Sequence, residues 1–337
     1  MQFNTPLPSE PELSVVVPVF NEAGNVGPLL ARLKPVLESC SRSFEVIFVD
    51  DGSSDATLET VKAENARDPR VCAVSFSRNF GKEIAIAAGL DHAAGKAVVI
   101  MDADLQHPPE TIPAFVAKWR EGFQNVYGQR THRATDSALR RMLTQRFYDL
   151  FRAFGETGLP EGAGDFRLLD RRAVEALLTM RERARFSKGL YAWVGFKSVG
   201  VPFEVAERMH GESKYSYRKL TRFALDGLMS FSTLPLKVWT YIGLFISGFA
   251  FATALYFILR TMLFGTDVPG YASLITSVMF FAGVQLLSLG VLGEYIGRIF
   301  AEVKRRPLYV VAERIGALDS AAPEEDHPVP ARHHRSG

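Results

Sequence analysis

The sequence predicts an α/β domain on a mostly parallel, doubly wound sheet, followed by two membrane-spanning helices. Three observations carry this. Short apolar runs alternate with stretches of helical periodicity from Leu13 to Gly128, the pattern of βαβ units with right-handed crossovers. Three of those runs end in acidic residues, at Glu22, Asp50/Asp51 and Asp102/Asp104, where open α/β sheets place ligands. Two late segments, residues 238–259 and 271–293, carry no charged side chain and are each long enough to cross a bilayer as a helix.

In order, strands are expected at residues 13–19, 44–49, 71–76, 97–101 and 125–128, with helices at 25–38, 82–94 and 111–121. Ser54 or Asp55 is placed to cap the helix after the second strand. The apolar run before Asp102 reads as a strand buried on both faces. Past it, Asp102, Asp104 and Gln106 are spaced i, i+2, i+4. On extended chain they point to one side and can offer oxygens to one hard cation. The same residues also suit a polar turn before the Pro108-Pro109 helix start.

The chain has 337 residues and a net charge of +2. That is room for one large or two ordinary domains, and no global field argues for nucleic acid. Cys40 and Cys72 read as buried, reduced thiols of a cytosolic domain. Residues 1–12 show neither a basic n-region nor an apolar h-region, so they read as an extension rather than a signal peptide. No G-x-G-x-x-G follows the first strand and no G-x-x-x-x-G-K-[ST] occurs, which excludes the common dinucleotide and P-loop modes. Carboxylates would repel a naked diphosphate. A bridging metal removes that conflict.

The stretches Val17-Pro18-Val19-Phe20-Asn21-Glu22, Val49-Asp50-Asp51-Gly52-Ser53-Ser54-Asp55 and Met101-Asp102-Ala103-Asp104-Leu105-Gln106-His107-Pro108-Pro109-Glu110 resemble family 2 glycosyltransferases of the GT-A fold. Within these the resemblance is to polyisoprenyl-phosphate glycosyltransferases, the group with dolichyl-phosphate mannose synthase and bactoprenol glucosyltransferases. It implies a GT-A domain over residues 13–213. It also implies that Pro18, Phe20, Glu22, Val49, Asp50, Asp51, Asp102 and Ala103 hold the nucleotide. Asp102, Asp104 and Gln106 would bind Mg²⁺ or Mn²⁺. Arg130 would meet donor phosphate or sugar, as a fixed guanidinium suits phosphate oxygens. Asp104, Asp165 and Arg130 form the implied catalytic set.

Two later stretches extend the resemblance. In Gly164-Asp165-Phe166-Arg167-Leu168, Asp165 would stand over the sugar, as a base or as a group that orients the acceptor. Arg167 would hold phosphate or pair with Asp165. In Arg208-Met209-His210-Gly211-Glu212-Ser213-Lys214-Tyr215, Arg208, Ser213 and Lys214 would bind the acceptor phosphate and the leaving diphosphate. Residues 137–154 form an amphipathic basic helix that either packs on the sheet or lies in the membrane interface.

Residues 214–236 are expected as a juxtamembrane segment and 237–300 as a hairpin with spans near 238–259 and 271–296. Lys219, Arg222 and Lys237 precede the first span, and Arg298, Lys304, Arg305 and Arg306 lie at the hairpin's other end. The positive-inside rule then puts the large domain in the cytoplasm. Gly293-x-x-x-Gly297 is a weak helix-contact signal consistent with a homo-oligomer. Residues 301–337 are a tail expected to be disordered after about 317. The expected function is inverting transfer of a sugar from a nucleotide sugar, UDP-glucose first, to undecaprenyl phosphate at a bacterial inner membrane. GDP-mannose, a modified UDP-pentose, or a non-catalytic scaffold are the alternatives.

Overall fold

The apolar runs are strands in a computed structural model that describes residues 11–130, 163–183, 185–204, 234–264 and 270–320. The first half alternates β1 (Leu13–Val19), α1 (Ala23–Cys40), β2 (Phe44–Asp50), α2 (Thr57–Arg67), β3 (Val71–Phe76), α3 (Lys82–His92) and β4 (Ala97–Ile100). A 3-10 turn at Pro109–Thr111 leads into α4 (Ile112–Arg120), and β5 (Asn125–Arg130) follows. Then come β6 (Ala163–Asp170), α5 (Arg171–Leu178), α6 (Ser187–Trp193), β7 (Ser198–Phe203), α7 (Leu234–Phe264), α8 (Tyr271–Val303), β8 (Val311–Ile315) and α9 (Ala317–Ser320).

The strands form one eight-stranded sheet in the order β7-β5-β6-β4-β1-β2-β3-β8. Strands β1 to β4 are mutually parallel. β6 runs antiparallel to β4 and β5, β7 runs parallel to β5, and β8 runs antiparallel to β3. The sheet is therefore mostly parallel, with β6 and β8 running back. Chain order reverses between β1 and β4, which makes that point the topological switch.

Alternate residues of β1 feed opposite faces. Val15 and Val17 pack in one core with Leu29, Leu33 and Phe115, and Val16 packs in the other with Ile86 and Leu90. Burial on both faces is why these strands read as unbroken apolar runs. Helix α3 lies very close to β1: a Cβ on Gly89 would stand 2.1 Å from Val16 Cγ1, so only glycine allows that approach.

Several expectations change. Cys72 is buried, but Cys40 is only partly so. The first part of the expected tail is structured: β8 extends the sheet beside β3, and Leu318 of α9 is buried. Of the two expected spans, one stretch among the described residues, Phe280–Val303, is long and apolar enough to cross a membrane by length and composition. Its Leu286, Leu289, Ile296 and Phe300 side chains are exposed, the mark of an apolar surface made for an apolar partner. Residues 1–10, the basic helix at 137–154, the segment 205–233 with Arg208, Ser213 and Lys214, and the chain after 320 lie outside the described residues.

Candidate active site

Strands β1, β2, β3 and β4 end on one edge of the sheet. β5 ends there too, and β6 starts there because it runs back. The edge therefore gathers the turns after β1, β2 and β4 with Arg130 at the end of β5 and Asp165 at the start of β6.

The turn after β4 is not extended chain. Leu105 has φ +59°, and burial alternates along the turn. Ala103, Leu105 and His107 are buried, while Asp102, Asp104 and Gln106 are half-exposed. Packing rather than strand geometry sets this alternation. His107 pins the turn. Its Nδ1 accepts from the Asp102 N–H at 3.1 Å, and its ring stacks on Phe166 with centroids 4.9 Å apart. Burial pushes the His107 pKa down, and an Nδ1 that accepts an N–H carries no proton. The 3.9 Å approach of Asp102 Oδ2 to Nδ1 is thus proximity to a neutral ring. Asp104 Oδ1 accepts from the Gln106 N–H at 3.1 Å.

Among the described residues no three His, Cys, Asp or Glu side chains make a complete cation cage. Two carboxylates and an amide still fit a cation that keeps most of its shell for water and diphosphate oxygens, as Mg²⁺ does. Asp102, Asp104 and Gln106 would hold such a cation.

Asp50 and Asp51 sit deeper than expected for nucleotide ligands. Asp50 accepts from the Ser53 N–H at 3.0 Å and from Ser75 Oγ at 2.7 Å. Asp51 accepts from the N–H groups of Phe80, at 2.6 Å, and Gly81, at 2.9 Å. Burial raises the Asp51 pKa. Both residues hold loops. Asp51 secures the loop that enters α3, and Gly52, at φ +70°, lets that loop pass close by, since a Cβ there would lie 2.6 Å from the Arg78 backbone. Val49 and Ala103 are also buried, so only their backbones are available to a ligand. Phe20 is 38 % exposed and Pro18 is half-buried. The Glu22 N–H donates to Thr57 Oγ1 at 2.8 Å, and its carboxylate accepts from Asn25 Nδ2.

Lys82, the first residue of α3, joins the two halves of the edge. Its Nζ lies 2.6 Å from Asp102 Oδ1 and 3.1 Å from Asp165 Oδ2. Burial works against the ammonium charge, but the two carboxylates outweigh it and raise the Lys82 pKa. For Asp102 and Asp165 burial likewise opposes ionisation and Lys82 overrides it, so both pKa values fall. The Asp165 Oδ1 atom is buried with no hydrogen-bond partner among the described residues. It is an acceptor left available to a ligand hydroxyl or cation.

Arg130 is exposed at the end of β5, and its charge helps hold His107 neutral. Of the two roles expected of Arg167, the one beside Asp165 has support, since its charge helps lower the Asp165 pKa. Arg167 is 3 % exposed, donates to the Gly164 carbonyl at 2.6 Å, and lies 3.6 Å over the Tyr191 ring. A guanidinium committed in this way is not presented to phosphate. Lys82 and His107 are the residues sequence reasoning missed. The signal for Lys82 was its place at a helix start after a strand end, beside Gly81.

The glycosyl transferase family 2 model matches residues 14–178, and a model described as the GtrB C-terminal hairpin matches residues 234–299. An uncharacterized glycosyltransferase of Synechocystis sp. is 48 % identical over 90 % of this chain and 96 % of its own. A prophage-derived bactoprenol glucosyl transferase of Shigella flexneri is 45 % identical over 89 % of this chain and 97 % of its own. Among solved structures, mannosyltransferase PcManGT from Pyrobaculum calidifontis aligns over 85 % of both chains with 20 % identity and a TM-score of 0.44.

Proposed function

The chain belongs to glycosyl transferase family 2, in the group that contains the bactoprenol glucosyl transferases, and on that premise we propose that it moves glucose from UDP-glucose to a membrane-borne polyprenyl phosphate. The observation that carries this reading is the meeting of Asp102, Asp165 and Lys82 at the sheet's switch-point edge. Donor carboxylates there face the start of the strand that carries the sugar-side carboxylate.

The acceptor phosphate oxygen attacks the anomeric carbon from the side opposite the diphosphate. The carbon–oxygen bond to the diphosphate breaks, UDP leaves, and the anomeric configuration inverts. A phosphomonoester already carries about −1.5 to −2 charges at neutral pH, so no strong base is needed. Asp165, held ionised by Lys82, suits orienting the acceptor and stabilising positive charge that grows on the sugar ring. A divalent cation, when bound, supplies charge neutralisation for the leaving diphosphate. Phe20, Pro18 and Glu22 line the nucleoside side. Arg130, with Arg208, Ser213 and Lys214, serves the phosphates.

The membrane reading is a two-span hairpin with the catalytic domain on the cytoplasmic side. Its support is the hairpin model match over residues 234–299, helices α7 and α8 of 31 and 33 residues, and the Lys and Arg residues at both outer flanks.

The test offers the full chain in membranes radiolabelled UDP-glucose, GDP-mannose or a UDP-pentose together with undecaprenyl phosphate. Label in the lipid from UDP-glucose supports the reading. Label only from another donor replaces glucose. No labelled lipid from any donor returns the scaffold alternative.

A further inference from the structure

The chain beyond α8 is bound to the catalytic domain at several points. β8 pairs antiparallel with β3, with Val311 opposite Phe76 and Ile315 opposite Ala73. Just before it, the Val310 carbonyl accepts from the Ser77 N–H at 3.0 Å. The Tyr309 ring stacks on Phe76 with centroids 5.0 Å apart, and its hydroxyl donates to Asp91 Oδ2 at 2.9 Å. Arg305, at φ +47°, turns the chain between helix and strand. Upstream, in the last turn of α8, Glu302 Oε1 accepts from the Arg183 N–H at 2.7 Å. Arg181, two residues before, pairs with the same Asp91 at 2.8 Å. Lys62 of α2 pairs with Glu313 of β8 at 3.0 Å. Residues 304–320 lie outside both matched family segments.

The partners of this connection lead to the crevice. Phe76 ends β3 and meets Phe80 edge-on at 5.6 Å. The Phe80 and Gly81 N–H groups are held by Asp51. Lys82 follows and reaches Asp102 and Asp165. Helix α3 thus carries Lys82 at one end and Asp91, gripped by Tyr309 and Arg181, at the other. A helix is a stiff element, so its two ends move together. The apolar helix that ends at Val303 is joined to this unit through residues 304–310.

We propose that Tyr309 and strand β8 are positioning elements: they dock the membrane helix onto β3 and α3, and so fix the crevice at one place relative to the bilayer that carries the acceptor. This rests on the lipid-acceptor reading above. A long polyprenyl phosphate stays in the membrane and can offer only its head group. A crevice held in register with the membrane sees that head group at high effective concentration, and a loosely tethered crevice does not. Tyr309 acts through this docking and not on the substrate.

The experiment uses the full chain in nanodiscs as wild type, Tyr309→Phe and Tyr309→Ala. Tyr309→Phe removes only the hydrogen bond to Asp91, while Tyr309→Ala also removes the stack on Phe76. Initial rates are compared with undecaprenyl phosphate in the bilayer and with a short, water-soluble prenyl phosphate. The expected result for Tyr309→Ala is an apparent KM for the embedded acceptor raised about tenfold, with kcat, the donor KM and use of the soluble acceptor unchanged. Tyr309→Phe falls between. Spin labels at residues 305 and 96, in a Cys40→Ser/Cys72→Ser background, should show a narrow distance distribution in wild type that broadens in Tyr309→Ala. Equal losses on both acceptors, or an unchanged embedded-acceptor KM, overturn the proposal. If wild type uses neither acceptor, the lipid-acceptor reading fails. The distance measurement then still decides whether Tyr309 fixes the helix on the domain, and an unbroadened distribution overturns that.

Discussion

Lys82 Nζ stands 2.6 Å from Asp102 Oδ1, although the two residues belong to different strand–helix units. The contact is a charge-assisted hydrogen bond by length. A second one reaches Asp165 at 3.1 Å. One ammonium therefore stabilises two carboxylates that would otherwise repel each other across the switch-point edge. Replacing Lys82 with Met should lower transfer by about 10² or more, the scale for removing one preorganised charge at a reacting site. Lys82→Arg should recover part of it. Steady-state rates at saturating donor check this, and a Lys82→Met variant with wild-type kcat would remove the lysine from the site.

The depressed pKa of Asp165 bears on pH dependence. A carboxyl whose folded pKa is lowered stays ionised at neutral pH. The stability it contributes is present above its unfolded pKa and is lost as pH falls through the folded value. Asp165 therefore does not titrate near neutrality. The acceptor phosphate does, with a second pKa of about 6. Transfer should fall as pH drops through that value, and Asp165→Asn should keep the same acidic limb at a lower rate. If the substitution abolishes the limb, Asp165 is the titrating base.

His107 joins the turn at Asp102–Gln106 to Phe166. His107→Ala should destabilise the domain by about 1–3 kcal/mol, because the partly buried Asp102 N–H loses its acceptor and the ring leaves Phe166, and should weaken metal-dependent transfer as the turn loosens. The His107 folded pKa is lowered by burial. Unfolding therefore takes up a proton below the free-histidine value of about 6.5, and wild-type stability falls as pH drops through it. That part of the acid sensitivity should be missing in the variant. Denaturant midpoints at neutral and acidic pH measure both effects, and identical midpoints for the two proteins would refute the turn-holding role.

Gly52 is required by conformation and by space together. Gly52→Ala adds a Cβ at φ +70° that meets the Arg78 carbonyl carbon at 2.6 Å. The expected cost is about 1–3 kcal/mol of stability, with looser nucleotide binding because the loop that Asp51 holds must shift. Thermal unfolding with and without UDP reads both, and an unchanged melting temperature would contradict the close approach.

Asp104→Asn tests the cation reading. Chelator should stop wild-type transfer, and added Mg²⁺ or Mn²⁺ should restore it. Asp104→Asn should need a higher metal concentration, while its helical content and membrane insertion stay as in wild type. Full wild-type activity in chelator would rule out a metal-assisted leaving group.

Much of this was legible from residues close together in the chain. Val15 to Val19, Phe44 to Val49 and Ala97 to Ile100 are buried on both faces, so their apolar runs announce central parallel strands. The acidic ends at Glu22, Asp51 and Asp102 follow from that. What was hidden depends on partners far apart in sequence. Lys82 meets Asp165 across the fold, and Arg167 lies over Tyr191 instead of reaching phosphate. No local pattern encodes either contact. β8 was missed because Glu313 and Arg314, adjacent and so on opposite faces, interrupt the apolar pattern of Val311–Ile315 at the sheet edge. The loop-holding bonds of Asp50 and Asp51 are hidden too, because a turn-holding carboxylate and a ligand-holding one look alike in sequence.

The central claim is that a lipid-borne phosphate attacks the sugar itself, and the released nucleotide tests it most directly. The full chain in membranes is given UDP-glucose labelled in both uridine and glucose, with undecaprenyl phosphate as acceptor. Direct attack at the anomeric carbon predicts one UDP released for each glucose that enters the lipid, and a single phosphate between sugar and lipid with inverted configuration. Release of UMP with a diphosphate-linked lipid, or UDP formed with no glucose in the lipid, would contradict it.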